Sequence, residues 1–127
     1  MKTILVDAMN SFVIPNLGIN KEMHALLEQF ENPKIILTNA DDEQMEKFGL
    51  NVMPYPVFTL KHNPEKTSPE YYQKMLETFS LTKDEVVYFE HNLEAVKSAE
   101  SVDITTFHYD KDKKDLKGLR DFLRNNL

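Results

Sequence analysis

Unbroken apolar runs alternate with amphipathic stretches along this chain. Thr3-Ile4-Leu5-Val6 is the first run, β-branched and aliphatic with no polar alternation. A strand buried on both faces has that signature. Lys34-Ile35-Ile36-Leu37, Val57-Phe58-Thr59-Leu60, Glu85-Val86-Val87-Tyr88-Phe89 and Ile104 to Phe107 repeat it. Between the runs the period changes to that of a helix. Lys21 to Phe30 carries Met23, Leu26, Leu27 and Phe30 on one face, with Asn20 as N-cap and Glu31-Asn32-Pro33 as breaker. Asp41 or Asp42 starts a helix to about Phe48, closed by Gly49. Ser68-Pro69-Glu70 is a helix start with a cap, a first-turn proline and an acid. Tyr72, Met75, Leu76 and Phe79 form the apolar face behind it. Leu93 to Ser101 reads as helical, and Leu116, Leu119, Leu123 and Leu127 stripe a final helix.

Strands alternating with helices predict a three-layer α/β domain built on a five-stranded parallel sheet. The first strand is expected at its centre. Right-handed crossovers put every strand's C-terminal end along one edge. Asp7, Thr38-Asn39, the polar loop Lys61 to Thr67 and Glu90-His91-Asn92 are expected to converge there, at the edge where open α/β sheets bind ligands. The loop Ser11 to Asn20 is unusually apolar, with Phe12, Val13, Ile14, Leu17 and Ile19, and is expected to fold back over the end of the first strand. Leu50 to Pro56 reads as connection.

Composition narrows the setting. At 127 residues the chain is expected to form a single domain, 1–127. A net charge of −6 argues against nucleic acid and anionic membrane as partners. Cysteine is absent, which rules out disulfides and thiolate chemistry and fits a reducing compartment. No stretch makes a signal peptide or a membrane span, so the expected location is cytoplasmic. There are no internal repeats.

The converging residues have a chemistry in common. Asp7 can act as nucleophile, base or metal ligand. Thr38 offers a hydroxyl beside a helix start, where an anion is favoured. Lys61 or Lys66 can neutralise both Asp7 and a bound anion. Together they suit a phosphate or carboxylate group. Each also has an ordinary reading: a turn aspartate, a capping threonine and a surface lysine. His24, His62 and His108 read as solvent-facing.

Four segments in order resemble the haloacid dehalogenase-like (HAD) superfamily over nearly the whole chain. Asp7-Ala8-Met9-Asn10-Ser11 is similar to its first motif, a hydrophobic strand followed by D-x-D-x-T. Leu37-Thr38-Asn39 is similar to the second, a strand ending in Ser or Thr. Lys66-Thr67-Ser68-Pro69-Glu70-Tyr71-Tyr72 follows the third, a lysine just before a helix. Phe89-Glu90-His91-Asn92-Leu93-Glu94-Ala95-Val96-Lys97-Ser98-Ala99 follows the outline of the fourth. The resemblance implies a Rossmann-like sheet without a cap domain, because Ser11 to Asn20 is too short to hold one. It also implies Asp7, Thr38 and Lys66 as the catalytic set and Mg²⁺ as cofactor.

The departures change that chemistry. The resemblance implies that the motif's second aspartate protonates the leaving group and lends its carbonyl to the metal. Met9 occupies that position and has no proton to give. His91 and Ala95 stand where the fourth motif has acids, leaving Asp7, the Met9 carbonyl and Glu90 to hold a metal. Mg²⁺ requires hard oxygen donors, so weak Mg²⁺ binding is expected. A register shifted by one gives a Glu90/Glu94 pair but fits the helix less well. The metal-free dehalogenases of the family resemble D-A-Y-G-T in the first motif, which Asp7-Ala8 begins to match, and Asn92 matches their fourth. Displacement of halide needs no acid.

Three readings follow. The first is an inactive or weak phosphohydrolase-like protein that binds a phosphate-type anion or phosphorylated ligand at Asp7, Thr38 and Lys66. The second is an active hydrolase with altered chemistry, a phosphatase on activated phosphoesters or a metal-free 2-haloacid enzyme working through Asp7. The third is a non-catalytic interaction or scaffold domain. Ser11, Asn39 and Asn92 complete the set of altered or retained motif positions.

Overall fold

The computed structural model describes residues 1–127. Its main sheet has five parallel strands, β1 (Thr3–Asp7), β4 (Lys34–Thr38), β5 (Val57–Thr59), β6 (Val86–Glu90) and β7 (Thr105–His108). Their spatial order is β5-β4-β1-β6-β7, so the first strand is central. Its flanks are fixed by register, with Leu5 beside Ile35 of β4 and Tyr88 of β6. All five residues of β1, β4 and β6 are buried, which is why their sequences are continuously apolar.

Alternation along β1 divides the interior into two layers. Ile4 and Val6 face α1 (Lys21–Leu27) and α5 (Leu116–Asn126), meeting Met23, Leu27, Leu119 and Leu123. Leu5 faces α3 (Pro69–Thr78) and α4 (Leu93–Ser101), meeting Tyr71, Tyr72, Met75 and Ala99. Each fully buried aliphatic or aromatic side chain contributes about 1.5–3 kcal/mol by leaving water. Asp7 follows Leu5 by two positions and shares its face. Glu90 follows Tyr88 on β6 in the same way.

Local chemistry sets the element ends. Asn20 accepts a hydrogen bond from the Met23 amide and starts α1. α1 stops at Leu27, three residues short of the expected Phe30, because Glu28 is already its C-cap ahead of the Pro33 break. A capping box between Asp41 and Gln44 starts α2 (Asp42–Lys47), and Gly49 leaves it in the left-handed conformation at φ 70°. Leu50–Val52 forms one turn of 3-10 helix within the stretch expected to be plain connection. Two strands are displaced by one residue from expectation. Glu85 belongs to a 3-10 turn whose capping box with Thr82 holds it off the ladder, so β6 runs to Glu90. β7 likewise pairs through His108, opposite Glu90.

The Ser11 to Asn20 segment is a small hairpin of β2 (Val13–Ile14) and β3 (Gly18–Ile19), with no added domain. Phe12 and Val13 are buried against the end of β1, as their apolar character suggested. Leu17 is not: it stands 81% exposed at the hairpin tip. No helix is long and apolar enough to cross a membrane.

Candidate functional site

The C-terminal ends of β1, β4 and β6 meet as the topology requires, and Lys66 joins them from the loop before α3. Lys61 and His62 both take left-handed backbone conformations, turning that loop back over the sheet edge. The Lys66 amide is then held by Asn39, donating to its Oδ1 at 2.7 Å. The Lys66 ammonium, 8% exposed, donates to Asp7 Oδ1 at 2.6 Å, Glu90 Oε1 at 2.7 Å and the Leu37 carbonyl at 3.3 Å. Its three hydrogens are thereby satisfied. Lys61, the other candidate, pairs with Asp42 at the surface instead.

Asp7 is enclosed. Its Oδ2 accepts from the Ser11 hydroxyl at 2.6 Å, the His91 amide at 3.1 Å and His91 Nδ1 at 2.5 Å. Glu90 is equally engaged. The Tyr88 hydroxyl donates to Oε1, while the Asn92 amide lies 3.0 Å and His91 Nδ1 3.1 Å from Oε2. Two carboxylates are therefore interleaved with an ammonium and an imidazole.

The charges shift one another. Burial by itself would raise the Asp7 pKa, but Lys66 and His91 reverse this and hold it well below the usual carboxylate range. Burial would lower Lys66, yet Asp7 and Glu90 push it well above its ordinary value. His91 is pulled down by burial and pushed up further by its bonds to Asp7 and Glu90, reaching about 9. At neutral pH the imidazole is thus a cation.

A cavity of about 200 Å³ opens over this cluster. Asp7, Thr38 and Lys66 line it together, so the three expected residues share one pocket. Met9, Asn39, His91, Asn92 and Ala95 also line it. Ser11 sits behind Asp7 rather than on the wall. The amide side chains have fixed orientations. Asn39 Oδ1 is taken by the Lys66 amide, and Asn92 Oδ1 by the Ala95 amide as the N-cap of α4. Both NH₂ groups are left without a protein partner. Thr38 Oγ1 accepts from the Ala40 amide and donates to nothing in the protein. His91 Nε2 is also unbonded.

Four participants were not foreseen. Tyr88 is two positions before Glu90 on β6, and its place on the same strand face was the available signal. Gln44 and Phe48 of the α2 segment form part of the wall, with only the capping box to hint at Gln44. His62 is exposed, as expected, and its ring also reaches the cavity, between Gln44 Oε1 at 2.6 Å and Glu65 Oε2 at 2.7 Å. His24 departs from the same expectation: its ring packs edge-on against Phe12 and Tyr55. His108 is exposed, with Nε2 at 2.9 Å from the His91 carbonyl.

Asp7, Glu90 and His91 each bring one ligand-type atom within 4.8 Å of the others. The spacing does not suit a divalent cation. His91 Nδ1 and Asp7 Oδ2 are 2.5 Å apart, a hydrogen-bond separation. Neighbouring ligands around Mg²⁺ or Zn²⁺, at bond lengths near 2.0–2.1 Å, stand about 3 Å apart or more. The Lys66 ammonium already neutralises the same two carboxylates. As arranged, these residues do not fit the ion.

No family model matches the sequence, and no curated protein does. Solved structures do match. A HAD family enzyme from Bacteroides thetaiotaomicron, an Asp-to-Ala mutant in complex with magnesium and inorganic phosphate, superposes with a TM-score of 0.75 at 11% identity. The match covers 94% of this chain and 98% of that one. An uncharacterised protein from Corynebacterium glutamicum gives 0.65 at 14% identity, covering 98% and 96%. A haloacid dehalogenase-like protein from Agrobacterium tumefaciens gives 0.56 at 17%, covering 84% of this chain and 61% of its own. With β1 central, the cavity edge built from four separated segments and no cap inserted, the chain has the haloacid dehalogenase-like fold.

Proposed function

We propose that the cavity binds a phosphate-type anion and that hydrolysis through Asp7 is weak or absent. The observation that carries this reading is the set of unspent donors around the cavity. The Thr38 hydroxyl, the NH₂ groups of Asn39 and Asn92 and His91 Nε2 have no partner in the protein. Their acceptor atoms are tied to backbone amides or, for His91, the second ring nitrogen faces Asp7. These groups present hydrogen donors to a ligand, and an oxyanion satisfies them best. The phosphate complex of the Bacteroides HAD enzyme supports the same ligand class.

Asp7 supports the second half of the reading. Its side chain is 1% exposed, and its oxygens take four hydrogen bonds from Lys66, Ser11 and His91. A carboxylate so stabilised is a poor nucleophile. Met9 supplies no proton to a leaving group, a deficit usually worth about 10²–10⁴-fold. The two apolar layers on one sheet support reading residues 1–127 as a single domain, and the lack of cysteine supports a cytoplasmic setting.

Inorganic phosphate titrated into labelled protein, followed by NMR, tests the binding. Saturable shifts at Thr38, Asn39 and Asn92 are expected; their absence overturns the reading. Turnover is tested on acyl phosphates, p-nitrophenyl phosphate and 2-haloacids with several divalent metals. Metal-dependent turnover lost in Asp7→Asn would restore full catalytic status to the site.

A further inference from the structure

We propose that the His91 side chain occupies the position between Asp7 and Glu90 that a divalent metal would otherwise fill. The site is then complete without metal. For its effect on ligand binding this inference rests on the anion-site reading; its metal arm does not.

Three observations carry it. First, His91 Nδ1 touches both acids, 2.5 Å from Asp7 Oδ2 and 3.1 Å from Glu90 Oε2, the two oxygens that Lys66 leaves. A cation bridging those two oxygens would have to displace it. Second, the remaining carboxylate oxygens are occupied. Lys66 bonds Asp7 Oδ1 and Glu90 Oε1, Tyr88 also bonds Oε1, and the Asn92 amide bonds Glu90 Oε2. A metal entering here gains few oxygen ligands and breaks several charge-assisted bonds. Third, Ala95 lines the same wall and offers no donor to complete a coordination sphere. The Lys66 ammonium already pairs with both acids, and the His91 ring lies against one oxygen of each. A carboxylate at position 91 would replace that ring with a further oxygen ligand.

The test compares wild type with His91→Asp. Both are first stripped with EDTA and then titrated with Mg²⁺, Mn²⁺ or Zn²⁺. Thermal unfolding and, for Mn²⁺, the EPR signal of the free ion provide the readouts. The wild-type Tm is expected to move by less than ~1 °C, and its phosphate affinity to be the same with EDTA or Mg²⁺. His91→Asp is expected to gain ~5 °C or more at saturating metal, and to bind phosphate only when metal is present. Capture of any of the three ions by wild type, or loss of its phosphate binding in EDTA, overturns the proposal. If His91→Asp fails to fold, His91→Asn replaces it, with phosphate binding expected to fall ~10-fold equally with and without metal. Metal rescue of that variant would count against the proposal. Absence of phosphate binding under every condition defeats the anion reading alone, because the wild-type metal titration still decides this inference.

Discussion

At the scale of single residues, Lys66 carries the largest electrostatic load. It is buried and joins two carboxylates that have no other ammonium near them. Removing one partner of such a cluster is worse than never having built it, since the remaining charges stay buried. Lys66→Met is expected to lower unfolding free energy by about 3–5 kcal/mol in urea titrations at neutral pH. His91 and Asp7 set the pH profile. The folded His91 value, about 9, is above its ordinary 6.5. Its contribution is therefore complete below pH 6.5 and lost as pH rises through 9. Asp7 is shifted downward, so its contribution is complete above the ordinary 3.8 and fades as pH falls toward its depressed folded value. Urea unfolding measured across pH should show a plateau between those limits. His91→Gln should lose the decline on the alkaline side. That Asp7 and Thr38 reach one edge was legible because each ends a strand, whereas Lys66 was separated from Lys61 only by the family resemblance. The engagement of Glu90 by Tyr88 was not legible, because a shared strand face two residues apart leaves open whether the hydroxyl turns onto the carboxylate.

At the scale of elements, a cap also orients a side chain at the cavity. Asn92 starts α4 with its Oδ1 and thereby turns its NH₂ toward the cavity. Asn92→Asp should keep the cap and add a favourable charge at the helix start, leaving stability within about 0.5 kcal/mol. It should nevertheless weaken phosphate binding ~10-fold by replacing a donor with a second anion. Asn92→Ala loses both, with a stability cost of about 1 kcal/mol. Gly49 is a simpler case. A Cβ there meets nothing within 4 Å, so only its φ of 70° opposes substitution. Gly49→Ala is expected to cost about 1 kcal/mol in thermal or urea unfolding, and Gly49→Asn less. Element types were readable from periodicity, and Asn20, Asp41 and Gly49 marked their ends well. Boundaries slipped where a side chain competed with the ladder, as Glu85 does by capping Thr82.

For the molecule as a whole, the order β5-β4-β1-β6-β7 places its most protected backbone at the centre. Native-state amide exchange should be slowest at Leu5 and Val6 of β1 and at Ile36 and Val87 beside them. Within the five-stranded sheet it should be fastest in β7, whose four residues are all at least partly exposed. The parallel three-layer architecture followed from alternation alone. Strand order did not, since the sequence says which segments are strands but not which ones neighbour each other. The hairpin following β1 has a consequence for engineering. Its base is pinned, the Phe12 amide to the Asp7 carbonyl and the Asn20 amide to the Phe12 carbonyl, while its tip at Leu17 touches little. Phe48 lies beside both the hairpin and the cavity. Lengthening such an anchored excursion costs only about 0.6 kcal/mol per doubling. A grafted segment between Asn16 and Gly18 could therefore roof the opening, making this small open frame a host for borrowed selectivity.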